Sequence, residues 1–367
     1  METGDLAVTG SLLLYRLYDV AWEIDLQRIQ DRVRESRRLS LDKRLSSKAF
    51  EFANPPVTLR LKGLEKTING RPYGINAYAK AYDYGVLGII FDIPVAGARI
   101  AEMEALAGSL RKDDPMGQDF LRARDGLVSD LGDAMSAVNM SRFEEDYAVY
   151  LITGTSPPLS AEQFIEAYDI GRLLLYEEGE SPPGKAVVSE LLSNRFSYSD
   201  GDMVVLNWDN ALVIEPTGSR DIPDLLEFAN AQLLELRFYD NLLDRELDSI
   251  YERISSRAPA SIWKVKRYEE LAARVMRTVT ELTDITEKVD NSLKVTEDVY
   301  YARVYTSALR LFRVQQWEDS IRKKIDIASR VYDMLYREIA NKRTELLELI
   351  IVILIALEIV LFIALSV

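Results

Sequence analysis

The chain has 367 residues and a mass of 41.7 kDa, room for two domains, and its 45 basic and 59 acidic side chains leave a net charge of -14. It contains neither cysteine nor histidine. That excludes disulfides, thiolate chemistry, imidazole ligands and every Ser-His triad, so any catalysis would rest on carboxylates, Lys, Tyr, Arg or a bound cofactor.

The charge is unevenly spread. Residues 1–257 hold 28 basic and 43 acidic side chains, whereas 258–345 hold 17 and 14. An acidic head argues against nonspecific nucleic-acid binding, which depends on clustered Lys and Arg displacing counterions. All 18 Gly lie at or before Gly218 and all 12 Pro at or before Pro259, so the first part reads as turn-rich and the last as helix.

In chain order, the apolar and aromatic run 11–26 predicts a strand leading into a helix that begins near Asp25. The segment 27–48 has eight bases against three acids. It could contact RNA, lipid or an acidic partner, or be a charged helix face followed by a solvated loop, and no stacking aromatics are interleaved with it. Residues 75–95 alternate and then become continuously apolar, which predicts one or two buried strands ended by Pro94 and Gly97. Helices are expected over 98–110 and 116–137, a strand over 146–154, and a helix from Ser160, where Gln163 completes a capping box. The phrase Tyr18-Asp19 returns as Tyr82-Asp83, a weak sign of a duplicated half-domain. Residues 203–216 predict a hairpin with Trp208, Asp209 and Asn210 at its turn. Strands and helices alternate without the regular period of a doubly wound fold, so residues 1–217 read as an α+β domain.

The segment 179–186, GESPPGKA, has the outline of a phosphate loop. Pro182 and Pro183 lack an N–H, Ala186 lacks the hydroxyl that would meet magnesium, and Glu177, Glu178 and Glu180 would repel the anion, so an exposed loop is the better reading of the stretch around Lys185. The acidic pairs Asp113-Asp114, Glu144-Glu145 and Glu177-Glu178 have no EF-hand spacing and read as solvated acids. No metal, cofactor or catalytic residue is assigned.

From Ile222 the pattern becomes heptad-like. A first seam runs through Leu226, Ala229, Leu233, Leu236, Asp240, Leu243, Leu247, Ile250 and Ile254, with Asp240 its only polar member. Arg257-Ala258-Pro259 breaks it. A second runs from Val265 through Tyr268, Ala272, Val275 and Val279 to Leu293, and a third from Ile321 through Ala328, Tyr332, Leu335 and Ile339, in phase with Leu346 and Leu349. Residues 218–345 therefore read as a helical coiled-coil or hairpin stalk continuous with the C-terminal stretch, and helices with such apolar stripes must find partners by folding back or by pairing between copies.

The closing stretch, 346–367, is apolar at nineteen of twenty-two positions. At about 1.5 Å per residue it reaches about 33 Å, against a bilayer core of about 30 Å, which predicts a single transmembrane helix over 346–366. Glu358 would fall near mid-bilayer, neutral or paired with a donor on a neighbouring copy, and Glu348 near the entry, so both are candidates for a helix-helix contact. Lys323, Lys324, Arg330, Arg337, Lys342 and Arg343 crowd the upstream side, which by the positive-inside rule keeps the head in the cytoplasm and makes the protein tail-anchored, in the inner membrane if the source is bacterial. The same bases suit an anionic leaflet or a solvated helix face.

The stretch LLELIIVILIALEIV (346–360) resembles the C-terminal signature of the "required for meiotic nuclear division" protein family, a domain of unknown function, at Leu347-Glu348 and Leu357-Glu358, with Leu349 where the family usually has Trp. Residues 226–244 are similar to a family helix at Ala229, Ala231, Gln232, Leu236 and Phe238, with Leu233 and Glu235 departing from it, and 82–91 is similar to its central strand. The resemblance implies no established catalytic activity; one mitochondrial branch is an inner-membrane protein that supports organelle translation in a large oligomer. The lack of Cys, His and a basic transit segment points to a prokaryotic member.

Together these features predict a non-enzymatic, membrane-anchored oligomeric scaffold, with the lipid bilayer, further copies of itself and an unidentified protein as partners and no direct contact with nucleic acid. The alternatives are a tether for ribosomes or RNA through residues 28–48, and an enzyme working through carboxylates such as Asp83 or Asp209.

Overall fold

The computed structural model describes residues 6–35, 40–41, 50–52, 54–138, 141, 143–175, 183–255, 266, 268–277, 279–280, 283, 293–295 and 298–365. In chain order the elements are β1 (Ala7–Asp19), β2 (Glu23–Ile24), α1 (Leu26–Glu35), β3 (Ser40–Leu41), β4 (Phe50–Phe52), β5 (Val57–Arg60), β6 (Leu64–Ile68), β7 (Arg71–Ala81) and β8 (Val86–Arg99). There follow α2 (Ile100–Asp113), α3 (Gly117–Leu131), β9 (Met135–Ser136), β10 (Glu144–Ser156), α4 (Ala161–Ala167), α5 (Ile170–Leu174), α6 (Lys185–Leu192), β11 (Arg195–Phe196), β12 (Met203–Leu206) and β13 (Asn210–Ile214). The last are α7 (Asp221–Ser255), β14 (Leu293–Val295), α8 (Val299–Leu311) and α9 (Val314–Leu365).

The chain divides into two compact units that do not follow chain order. One comprises 1–238 with 288–316, the other 239–287 with 317–367. In the first, ten strands form one sheet in the order β11-β12-β13-β10-β1-β8-β7-β5-β3, with β6 paired to β7. All its pairs are antiparallel except β10 with β13. The central strands are long and buried on both faces, as their nearly unbroken apolar sequences require. On one face α2 and α3 pack, with the rings of Phe91 and Phe120 4.2 Å apart. The other face receives the first half of α7, where Phe228 meets Tyr82.

Local signals act as expected. Ser160 Oγ accepts from the Gln163 N–H while Gln163 Oε1 accepts from the Ser160 N–H, closing the capping box, and Asp25 Oδ1 accepts the Arg28 N–H at the start of α1. The β7–β8 turn depends on Gly85, whose φ of +100° lies where L side chains are rare and where a Cβ would sit 1.9 Å from the Ala21 carbonyl oxygen. The repeated Tyr-Asp phrase marks no duplication of role: Asp19 ends β1 and is buried, whereas Asp83 sits in that turn, beside an open cleft. Residues 176–182, with most of the proline-rich loop and the Glu177-Glu178 pair, lie outside the described residues, and Lys185 opens α6.

In the second unit the first and third seams behave as cores. Leu247, Ile250, Leu271, Ala272, Val275, Ala328, Val331, Leu335 and Ile339 form one buried cluster. Asp240, the polar member of the first seam, is matched by Lys324 Nζ at 2.7 Å and by Ser320 Oγ at 2.6 Å. The break at Pro259 and the end of the second seam lie outside the described residues, apart from Leu293, which is on β14 and pairs with Phe52 of β4. The third seam and the apolar C-terminal stretch are one uninterrupted helix, α9.

That helix does not bear out the membrane span. Among the described residues no helix is long and apolar enough to cross a membrane. Glu348 and Glu358 interrupt the apolar stretch, and Lys342, Arg343 and Glu345 stand directly before it. The transmembrane helix over 346–366 is therefore withdrawn, and with it the tail anchor, the cytoplasmic orientation and inner-membrane location drawn from the flanking bases, and the intramembrane role of Glu348 and Glu358. The α+β first part and the helical last part stand.

Candidate functional site

The two acids singled out for catalysis open into separate clefts of the first unit. Asp83 lines a cleft of about 520 Å³ with Glu23, Asp25, Arg28, Asn54 and Asp133. Three of the acids there are engaged locally, since Asp83 Oδ2 accepts from Asn54 Nδ2 at 2.7 Å, Asp25 caps α1, and Asp133 Oδ2 is paired with Arg32 at 2.5 Å. Arg28 donates to the Asp133 carbonyl at 2.7 Å, so two bases of the segment 27–48 are engaged within the fold.

Asp209 lines a second cleft, about 420 Å³, between the end of α2, the start of α3 and the β12–β13 turn. Its Oδ1 accepts from the side-chain amides of Asn207 and Asn210 at 3.0 and 2.8 Å, and Asn210 Nδ2 also reaches the Leu174 carbonyl. Arg16 in the cleft wall forms a two-bond pair with Asp114, both at 3.1 Å, and lies 4.7 Å over the Phe120 ring. Trp208 stands 70 % exposed at the mouth. In this cleft Arg16 and Asp114 form a carboxylate–guanidinium pair, and Asp209 orders the β12–β13 turn through the two side-chain amides. Among the described residues no group of three or more acidic side chains could hold a metal ion.

The strongly perturbed groups are elsewhere, in a polar network buried between the sheet and α7. Lys80 Nζ on β7 meets Asp224 Oδ1 at 2.8 Å and Glu227 Oε2 at 2.7 Å, with Lys80 and Glu227 both buried. Arg220 pairs with buried Asp92 at 2.5 Å. Burial works against the Lys80 charge, but two carboxylates outweigh it and hold its pKa above the ordinary lysine value. The Glu227 carboxyl is pushed up, first by burial and then by Asp224, with Lys80 opposing, because two acids share one ammonium. Burial also raises the phenols of Tyr15, Tyr82 and Tyr84 around the network. Gly88 makes room for it, since a Cβ there would come 2.8 Å from Glu227 Oε1. Sequence reading passed over Lys80 and Glu227; the signal was a charge within each apolar face, in NAYAKAY and in LLEFANA.

Asp19 is a second isolated case. It is 3 % exposed, Oδ2 has no hydrogen-bond partner, and burial raises its pKa to about 7 despite a hydrogen bond with Ser141. A carboxyl whose folded pKa exceeds its unfolded value of about 4 binds its proton better when folded, so stability falls as pH rises through that window. The melting temperature should drop between pH 5 and pH 8, and Asp19→Asn should flatten that slope and raise the value at pH 8; an unchanged slope in thermal denaturation would remove Asp19 from this role.

In the second unit the predicted bases are surface or pairing residues. Lys324 bridges Asp240 and Asp244, Lys342 pairs with Glu345, and Arg343 pairs with Glu269. Lys323, Arg330, Arg337, Glu348 and Glu358 are exposed along α9. A groove of about 880 Å³ runs between the helical residues Glu269, Ala272, Ala273, Met276, Arg277 and Thr280 and residues 332–343 of α9, and its lining includes the small side chains of Ala272, Ala273 and Ala340. Beyond it, eleven large apolar side chains from Leu347 to Leu361 stand 44 to 61 % exposed among the described residues.

These observations define an α+β protein with a helical second unit. Residues 9–221 match the model of the family described as the uncharacterized protein MJ0711, N-terminal domain, and the chain belongs to that family. It is 26 % identical over 251 residues, 67 % of this chain and 74 % of the relative, to the uncharacterized protein MJ0711 of Methanocaldococcus jannaschii. No solved structure matches.

Proposed function

We propose that this protein is a non-enzymatic oligomeric scaffold, in which copies associate through the helical unit and the α+β unit is offered to a protein partner. The observation that carries the reading is the row of exposed apolar side chains from Leu347 to Leu361. Monomeric proteins rarely leave more than a few hundred Å² of contiguous apolar surface in water, and a surface of this length calls for a protein cover. The head supports it from the other side: Asp83 and Asp209 lie in different clefts and are hydrogen-bonded locally, which gives little purchase to carboxylate catalysis. Attachment to RNA through residues 28–48 loses support too, because Arg28 and Arg32 bind Asp133. The resemblance of 226–244 and 346–360 to the "required for meiotic nuclear division" family agrees with an oligomer, since one mitochondrial branch of that family forms one.

Light scattering coupled to size exclusion, run on the full chain in a mild non-ionic detergent and corrected for bound detergent, tests this. A protein mass that is a whole multiple of 41.7 kDa, two or more, is expected. A 41.7 kDa protein at micromolar concentration would contradict the reading.

A further inference from the structure

We infer that two copies of this chain pair through α9 in antiparallel fashion about a two-fold axis passing between Leu346 and Leu347, each setting its apolar ridge into the other's groove. The inference rests on the scaffold reading and names its interface. At 100° per residue, the groove side chains Tyr332, Tyr336, Ile339 and Arg343 fall on one stripe of α9, and the same stripe continues through Leu347, Ile350, Leu354, Leu357 and Leu361. The first half of the stripe borders the groove, whose lining includes the small side chains of Ala272, Ala273 and Ala340. The second half is convex and bare, with Leu and Ile side chains at least 44 % exposed.

A grooved and a ridged half in sequence on one helix are complementary to a reversed copy of that helix, the isologous arrangement of a two-fold dimer. Reversal about the 346/347 midpoint places Tyr332 opposite Leu361, Tyr336 opposite Leu357, Ile339 opposite Leu354 and Arg343 opposite Ile350. Every one of these members of the stripe then faces another. A parallel copy would set ridge against ridge and leave both grooves empty. The overlap from 332 to 361 is about 44 Å long, about eight turns, a contact on the scale of stable helix pairs. Glu358 comes level with Leu335 and Tyr336 of the reversed copy, where the exposed Tyr336 hydroxyl is a donor for its carboxylate.

Because the chain has no cysteine, introduced thiols report without background. Full-length Leu347→Cys, Leu361→Cys and Tyr332→Cys/Leu361→Cys would be treated, at equal concentration, with a bismaleimide of about 10 Å reach, matched to the separation of packed helices. Leu347→Cys should give at least about ten-fold more crosslinked dimer than Leu361→Cys, and adding Tyr332→Cys should restore crosslinking at 361, since only neighbouring positions fall within that reach. Strong crosslinking of Leu361→Cys alone would overturn the inference in favour of a parallel pair. An oligomeric mass without crosslinking at 347 would overturn this interface and leave the scaffold reading standing. Uptake into phosphatidylcholine and phosphatidylglycerol vesicles as uncrosslinked monomer would overturn both.

Discussion

Lys80→Ala should unfold the first unit at a temperature lower by on the order of ten degrees, from a loss of about 3 to 5 kcal/mol, because removing one partner of a buried ion pair leaves the other charge without compensation. The ammonium lies within 2.8 Å of both Asp224 and Glu227, and Glu227, itself on α7, is fully buried. Once Lys80 is gone, Glu227 must take up a proton or α7 must lift from the sheet. A second substitution separates the network from simple loss of packing. Glu227→Leu in the Lys80→Ala background should recover much of the lost stability, since a matched apolar pair can replace a buried ionic one. Thermal denaturation followed by circular dichroism reads both; a Lys80→Ala shift below about 2 °C would mean that the network contributes little.

The second large effect concerns assembly. Ile350→Glu together with Leu354→Glu puts two carboxylates on the ridge at positions that are half exposed in a single copy, so the fold of each unit should survive. Within an apolar contact the same carboxylates would be desolvated without partners, four of them in a symmetric pair. Association should weaken by about 100-fold or more, which corresponds to about 2.7 kcal/mol.

How much of this was legible from residue order differs by region. The long central strands, the capping box at Ser160, the hairpin at 203–214 and the break-free helix that ends the chain all follow from local patterns, and the structure has them. Periodicity also placed Leu247, Ile250, Leu335 and Ile339 on packing faces, and all four are buried in one cluster. Long-range pairing was beyond reach. Lys80 and Glu227 are 147 positions apart, and nothing local announces that a lysine in an alanine-rich strand will meet an acid in a helix. The same holds for Asp83 and Asp209, whose separation into two clefts depends on strand order. Hydropathy alone misled at the C-terminus: nineteen apolar positions suggested a span, while Glu348 and Glu358 interrupt it and Lys342, Arg343 and Glu345 precede it, and its apolar side chains form a surface still to be covered.

Sedimentation equilibrium of the full chain and of the Ile350→Glu/Leu354→Glu variant, in density-matched non-ionic detergent across a range of concentrations, tests the central claim. The account predicts an oligomeric mass for the natural sequence and 41.7 kDa for the variant, with circular dichroism melting curves of the two superimposing. Equal masses for both proteins, monomeric or oligomeric, would contradict it.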